Sequence, residues 1–537
     1  MNKIILTTSL LLVAVFTVAY LYFLNISAES RNIDKTLSLV PYDGALVFKI
    51  KNDKGIYDIF SDYKLFNAIT GQQKQQEIAA LRSIFFNSKL IFEQTLGQNI
   101  FLTFHPEADS VSLLWLMPLP KNLSLNEFNK YVLLNKEIVL NGLDPKKPVN
   151  EVFIKSTKRT FYLHINEGFL AASYSKKLLE KALDITLPKI SGRLVEEINR
   201  SNNQNENSPA TIFINYRSGI PFLSHFFKDN LSGNFSLLNN FNGIATLNMN
   251  FKSDALMFNG ITSTDTLRKN YINLFVKQKS VKNILKRLVP ANTSNFISYG
   301  VSNYLVFHRD LKQLLKLRKD LDQLNNTLQK IRNESGIDPD RDVKKLWSNE
   351  FISFQLSTQE KYGAIQLKNG RQMQFLMEPL STEHSDNIRH ISYAGLFYYY
   401  FGDGFKQFNR PFYTIIDNQM IISNSANSIR RYLNGYSKSL LFETEGFIHF
   451  DQLVADQSNI SIFIHNKNSG SNIESLLKPS YASTFKNKNY GLKDFYGLSY
   501  QWSSDGDRLF TNFYAGYNQG LLTDSAEAKI TGSPLQN

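Results

Sequence analysis

Cysteine is absent from all 537 residues. Disulfides, thiolate nucleophiles, cysteine-held zinc or iron–sulfur clusters and a lipid-modified cysteine are thereby excluded. Catalytic signatures are missing as well. The chain has no His-Glu-x-x-His, no Gly-x-Ser-x-Gly, no phosphate loop and no dinucleotide fingerprint. Its eight histidines are scattered. Acidic residues are in the minority: 47 Asp and Glu face 60 Lys and Arg, for a net charge of +13. Charged residues make up only 20 % and hydrophobic ones 42 %, which excludes a disordered chain and supports real cores. Aromatic residues reach 13 %, mostly Phe and Tyr, a composition suited to strands with large faces to cover.

What is present begins with a long apolar run. Ile4 to Leu24 carries no charge and follows Lys3. Its 21 residues are enough to cross a hydrocarbon core about 30 Å thick. A cleavable signal has a shorter apolar stretch and small residues at its exit, whereas Ile26-Ser27-Ala28 places a bulky residue first. Residues 1–25 therefore read as a single-pass signal anchor, with cleavage and secretion as the alternative. Lys3 favours a cytoplasmic N-terminus. The expected location is the bacterial inner membrane, with the bulk of the chain in the periplasm. Nucleic acid is then out of reach. The polyanions available to a +13 chain are lipid headgroups and envelope polymers.

The body repeats itself at offsets of 249 to 254 residues. Leu39-Val40-Pro41 returns as Leu288-Val289-Pro290. Leu96 to Leu102 lines up with Leu346 to Ile352. Phe161-Tyr162 returns as Phe412-Tyr413, Thr211 to Ile214 as Ser461 to Ile464, and Gly243-Ile244-Ala245 as Gly497-Leu498-Ser499. The expected organisation is an anchor (1–25), a polar tether (26–38), repeat A (39–266), a basic linker helix (267–287), repeat B (288–518) and a flexible tail (519–537). Strand–turn–strand stretches without intervening helices, as at Thr160 to Ser173, argue for antiparallel sheet. The fold class is α+β: two tandem homologous repeats of mostly antiparallel sheet with packed helices, behind one transmembrane helix.

Three stretches invite more specific readings. In and just after the linker, Leu267, Tyr271, Leu274, Val281, Leu285 and Leu288 fall at three- and four-residue spacing with one position skipped at Gln278, opposite a face of Lys and Arg. Such a helix docks on its own domain or lies on an anionic membrane. Leu314, Leu317, Leu321, Leu324, Leu328 and Ile331 form a heptad line, read as packing within repeat B or as a coiled-coil contact. Phe397 to Phe401 with Phe405 read as an aromatic strand, packed in the core or offered to a sugar or lipid.

Candidate chemistry is sparse. Asp338-Pro339-Asp340-Arg341-Asp342 resembles the start of a calcium loop, but Val343 replaces the required glycine and Glu350 falls one position late. Asp338 and Asp342 read instead as caps. His384 and His390 lack one-face helical ligand spacing. Ser224 beside His225 has no acid defined by sequence. Glu93 and Glu350 are not repeat equivalents and do not read as an acid/base pair. Gly402-Asp403-Gly404 reads as a hairpin turn. No catalytic residue, cofactor site or metal ligand is assigned, and no cofactor is expected.

Pro41-x-Asp43-x-Ala45-Leu46-Val47, Gly336-Ile337-Asp338 with Asp342, Trp347 and Glu350, and the strand–turn–strand at Tyr162 to Ser173 together resemble a family of uncharacterised, membrane-anchored bacterial envelope proteins with related halves. The family is a domain of unknown function, so the resemblance implies an architecture and no activity. Repeat A departs from it in lacking the Gly-Ile-Asp element. The expected role is a non-enzymatic binding or scaffold module in the envelope. It is membrane-bound through Ile4 to Leu24, with a protein or polymer partner. The alternative is a carrier or sensor of a lipid or other hydrophobic ligand.

Overall fold

The computed structural model describes residues 35–53, isolated positions between 76 and 93, and 95–517 apart from 108–109, 120–125, 127–128, 131–135, 137, 140–142, 145, 167, 191, 203–207, 229–236, 239–240, 253, 266–269, 386 and 487–493. The expected anchor (1–25), most of the tether and the tail (519–537) lie outside the described residues. Among the described residues no helix is long and apolar enough to cross a membrane. The fold is α+β with extensive antiparallel sheet. The chain forms two compact units, residues 1–60 with 73–214, and residues 61–72 with 215–537.

The first unit contains β1 (Leu46–Lys51), β2 (Asn99–Glu107), β3 (Ser110–Pro118), β4 (Ile138–Val139), β5 (Asn150–Ile154), β6 (Arg159–Asn166), β7 (Phe169–Ser173), α1 (Lys176–Leu183), α2 (Gly192–Asn202) and β8 (Ala210–Asn215). Hydrogen bonding orders its strands β4-β5-β6-β7-β3-β2-β1-β8, antiparallel throughout. Alternation fixes which side chains point inward. On β2, Phe101, Thr103 and His105 are buried while Leu102 and Phe104 between them are not. Val152, Ile154, Phe161 and Leu163 fill the core between β5 and β6. Ser175 caps α1 by accepting from Leu178 N, and the helix buries Leu178, Leu179 and Ala182 against the sheet.

The second unit begins with α3 (Tyr216–Ser224), β9 (Gly243–Lys252), β10 (Ala255–Thr264), β11 (Val281–Lys282) and β12 (Thr293–Gly300). Next come α4 (Tyr304–Leu317), α5 (Leu321–Ser335), β13 (Trp347–Leu356), β14 (Lys361–Leu367), α6 (Gly370–Met377), β15 (Ser381–Ser385), β16 (Ile388–Ile391) and α7 (Leu396–Phe401). It closes with β17 (Phe412–Ile416), β18 (Gln419–Ser423), α8 (Ala426–Asn434), α9 (Glu445–Asp451), β19 (Gln457–Ser458), β20 (Ile460–His465), α10 (Asn466–Leu476), α11 (Pro479–Lys486), β21 (Phe495–Asp505) and β22 (Arg508–Tyr517). The strand order is β15-β16-β17-β18-β14-β13-β12-β20-β21-β22-β10-β9. Its first eight places follow the same sequence of connections as the first unit. Hairpin β6–β7 closes at Asn166↔Phe169, and β17–β18 closes 250 positions later at Ile416↔Gln419. Ser173 Oγ donates to Leu113 O at 2.8 Å, and Ser423 Oγ donates to Lys361 O at 2.8 Å.

Three sequence expectations change here. Residues 270–288 are not a linker helix: they form two 3₁₀ turns, Ile272–Phe275 and Leu285–Leu288, flanking β11. Gln278 and Asn283 are both buried, and their side chains bond to loop and strand neighbours that a continuous helix would turn away from. The heptad line is cut between α4 and α5, where Lys319 adopts φ 64°. Leu317 is left exposed, while Leu324, Leu328 and Ile331 are buried within the unit. The aromatic run is helix α7 rather than a strand, with Leu396 to Phe401 all buried. Gly402-Asp403-Gly404 forms a 3₁₀ turn instead of a hairpin.

Close packing makes one glycine testable. Asn369 caps α6 by accepting from Gln372 N, and Gly370 N donates to Asn418 Oδ1 at 2.8 Å. A Cβ on Gly370 would overlap the Asp417 carbonyl oxygen in the β17–β18 turn. Gly370→Ala is expected to cost about 1–3 kcal/mol by overpacking. The denaturant midpoint read from the buried Trp347 and Trp502 checks this, and an unchanged midpoint contradicts it.

Candidate functional site

The most suggestive geometry lies in the first unit, at residues that sequence reading passed over. Thr103 and His105, two apart on β2, share a face. His105 Nε2 lies 2.7 Å from Thr103 Oγ1, and its Nδ1 lies 3.0 Å from Asp43 Oδ1. Lys181 of α1 donates to Asp43 Oδ2 at 2.7 Å. Carboxylate, imidazole and hydroxyl thus connect in the order of a nucleophilic triad. Access decides against that chemistry: Thr103 is 0 % and His105 1 % exposed. A Cβ on Gly44 would sit 2.8 Å from Val40 Cγ1 and 3.2 Å from His105 Cε1, so the space beside the ring is full. The relay ties the 41–44 turn, β2 and α1 together. Burial alone would raise the Asp43 pKa, but the bonds from His105 and Lys181 outweigh it and hold the carboxyl at about 2.

A second cluster holds the connector in the other unit. Glu350 on β13 is 2 % exposed. It accepts from Ile284 N at 2.8 Å, Leu285 N at 3.0 Å and Ser298 Oγ at 3.0 Å. Burial pushes its pKa up to about 7 in spite of these three donors. Lys286 pairs with Asp451 at 2.7 Å, and Asn283 Nδ2 donates to Ser458 Oγ at 2.6 Å. Between them lies a cavity of about 10 Å³, lined by Asn283, Lys286, Asp451, Gln501 and the rings of Phe296, Phe447, Phe450 and Phe463. It has room for about one water.

The third cluster is the expected aromatic surface, turned inward. Tyr399 OH donates to Asp340 at 2.8 Å, Tyr398 OH to Asp320 at 2.7 Å and Tyr393 OH to Glu334 at 2.9 Å. Arg318 pairs bidentately with Asp403. His308 packs edge-on against Tyr399 at 4.8 Å, and burial pushes its pKa down to about 4.

The remaining sequence candidates stay apart. Asp338 accepts from Asp340 N and Arg341 N and caps the helical turn Pro339–Val343; Asp342 lies inside that turn and accepts from Asp338 N, and the following 3₁₀ turn Lys344–Leu346 has no side-chain cap. Among the described residues no group of three His, Asp or Glu side chains is placed to hold a metal ion. His384 lies on β15 and His390 on β16, and both pack on Phe412. His225 meets Phe226 and Tyr481 rings instead of an acid. Glu93 is exposed, unlike the buried Glu350. The relay of the first unit left a faint trace in the sequence: Asp43 sits inside the Pro-x-Asp-x-Ala-Leu-Val motif. Its partners are 62 and 138 positions away, too far for spacing to pair them.

No family model and no characterised protein matches the chain. Among solved structures, crystal form III of TP0453 is similar at 10 % identity, covering 46 % of this chain and 88 % of that one, with a TM-score of 0.26. Crystal form I of TP0453 gives 9 % identity, 46 % and 87 % coverage, and a TM-score of 0.25. Values this low transfer neither fold nor activity.

Two pH dependences separate the clusters. The Asp43 carboxyl is depressed in the fold, so its contribution is present above about pH 4 and is lost as pH falls toward 2. Asp43→Asn is expected to cost about 1–2 kcal/mol at neutral pH, after allowance for solvent screening, and almost nothing near pH 2. Hydrogen exchange of β2 and α1 peptides reads this, and an equal loss at both pH values contradicts it. Glu350 is raised instead, so its contribution is present below about pH 4.5 and is lost as pH rises through 7. Across that window the second unit is expected to lose up to about 3 kcal/mol. Glu350→Gln should flatten this slope, and a slope unchanged in the variant would assign it to other groups.

Proposed function

We propose that the chain is a membrane-anchored envelope protein whose body arose by duplication and serves as a non-enzymatic binding or scaffold module. The observation that carries the reading is the disposition of the buried polar groups. Asp43, Glu350 and Asp340 each take their hydrogen bonds from neighbouring elements, so these side chains fasten turns, strands and helices to one another. Catalysis asks for the opposite, a titratable group facing a site a substrate can enter. Duplication is supported by the strand order common to both units and by the 250-residue spacing of equivalent hairpin closures. Anchoring is supported by the uncharged run Ile4 to Leu24.

A carrier of lipids needs an apolar chamber of a few hundred Å³. The cavity of the second unit is near 10 Å³, and its aromatic rings pack on one another: Phe296 and Phe463 lie 5.0 Å apart, Phe447 and Phe463 5.3 Å. This gives the carrier reading no support in that core.

Two measurements test the proposal. Protease added outside intact spheroplasts is expected to digest the body, and deletion of residues 2–25 to release it from the membrane fraction. A body protected from external protease overturns the topology. Native mass spectrometry of the full chain in detergent is expected to show the bare mass or the mass with a protein partner. A stoichiometric lipid that survives exchange into delipidating detergent would overturn the module reading in favour of a carrier.

A further inference from the structure

Among the described residues Ile185 is the most exposed large apolar side chain, at 91 %. Its exposure is built into the loop. Leu187 N donates to Asp184 O, and the Asp184 carboxylate accepts from Thr186 N at 2.9 Å and Thr186 Oγ1 at 2.7 Å. The acid is thus folded onto its own turn, and Ile185 is left at the apex. Leu187 beside it is 36 % exposed and Tyr42 56 %. Tyr42 belongs to the same surface because the loop is stapled to the segment before β1. Tyr42 N donates to Pro188 O at 3.1 Å, and Ile190 N to Val40 O at 3.0 Å. Around this patch Lys181 lies 5.5 Å over the Tyr42 ring, and Lys189 reaches the last carbonyls of α1. Apolar tips, a tyrosine and lysines with long apolar stems are the residue types that settle at a bilayer interface.

We propose that Tyr42, Ile185 and Leu187 dip into the surface of the bilayer that holds the anchor. This rests on the anchored reading above. Chain length selects the occupant. The apolar run ends at Leu24 and the described body begins at Lys35, 11 residues later. Eleven residues of any flexible chain span roughly 20 Å on average, and at full extension no more than about 40 Å. The patch lies at the root of this tether, so the membrane is always within reach. Tethering makes the contact intramolecular, and a few side chains then suffice.

The cysteine-free chain allows a single-site label. Ile185→Cys and, as control, Phe375→Cys (74 % exposed, on α6) carry an environment-sensitive fluorophore in the full-length chain. The chain is reconstituted in vesicles of phosphatidylethanolamine and phosphatidylglycerol. The label at 185 is expected to shift to the blue and to be quenched several-fold more by nitroxide lipids than the label at 375. Equal quenching of both by aqueous iodide overturns the proposal. Shielding at 185 from both quenchers overturns it as well, and indicates a protein contact. Alkaline carbonate flotation reads the anchor separately. A chain that washes off removes the anchored reading and the proposal together; a chain that stays with a wet label removes only the proposal.

Discussion

A strand buried on both faces must draw the bonds of its polar side chains from neighbouring groups, and on β12 all of them but Thr293 Oγ1 find one. All eight of its residues are buried, three of them Ser or Asn. Water cannot reach them, so other elements must supply the bonds. Ser469 of α10 donates to Ser294 O at 2.7 Å, and Asn472 Nδ2 donates to Ser294 Oγ at 2.9 Å. Ser298 donates to Glu350. From that last bond the cluster grows outward. A carboxylate placed deep enough to meet Ser298 needs further donors, and the amides of Ile284 and Leu285 provide them. The path of the connector is thus set by a requirement that starts in the centre of the sheet.

The same economy of charge runs through the other clusters. In the first unit a histidine one residue beyond the β1–β2 ladder, His105, is satisfied by Asp43 and Thr103. In the helical layer beside β13 every tyrosine tip of the 398–400 run finds an acid or a carbonyl: Asp320, Asp340 and the Pro339 oxygen. Breaking one partner of such a buried pair costs more than the pair contributes, because the survivor stays buried without its bond. These clusters therefore fix geometry more than they add stability.

Much of the architecture was legible because two signals survive in a single sequence. Turn residues mark hairpins, as at Asn166-Glu167-Gly168, where Gly168 adopts φ 95°. Strands with one buried face alternate, as β5 and β6 do. The repeated matches also pointed to positions that the structure places in corresponding strands, such as Thr211 to Ile214 in β8 and Ser461 to Ile464 in β20. Periodicity failed where tertiary bonds override it. Apolar residues at three- and four-residue spacing around Gln278 suggested a helix, yet that side chain accepts from Asn303 N and Ser302 Oγ in the next segment. Phe397 to Phe401 carries strand-forming residues, but all six positions of α7 are enclosed, so no face is left for alternation to reveal. The clusters were invisible for a different reason: their members come from strands, turns and helices that only the fold brings together.

The boundary between the units adds a constraint of its own. Matching sequence runs end the first copy near residue 266, but the compact units divide at Ile214 and Asn215. The reason is the ladder between β10 and β22, eight pairs from Ala255↔Gly516 to Thr262↔Leu509. Thr262 and Thr511 meet across it at 2.6 Å, both fully buried. On the duplication reading, the last hairpin of the first copy is built into the sheet of the second. A long antiparallel ladder with a buried polar pair near one end has one good register, because a slip of one residue turns each side chain to the wrong face. Residues 39–266 then contain a hairpin whose partner positions run from Leu509 to Gly516, far beyond the segment's end. Cut out alone, that segment would expose the β10 edge that β22 covers. The segment marked out by the matching sequence runs is therefore not the segment that the ladders close into a compact unit.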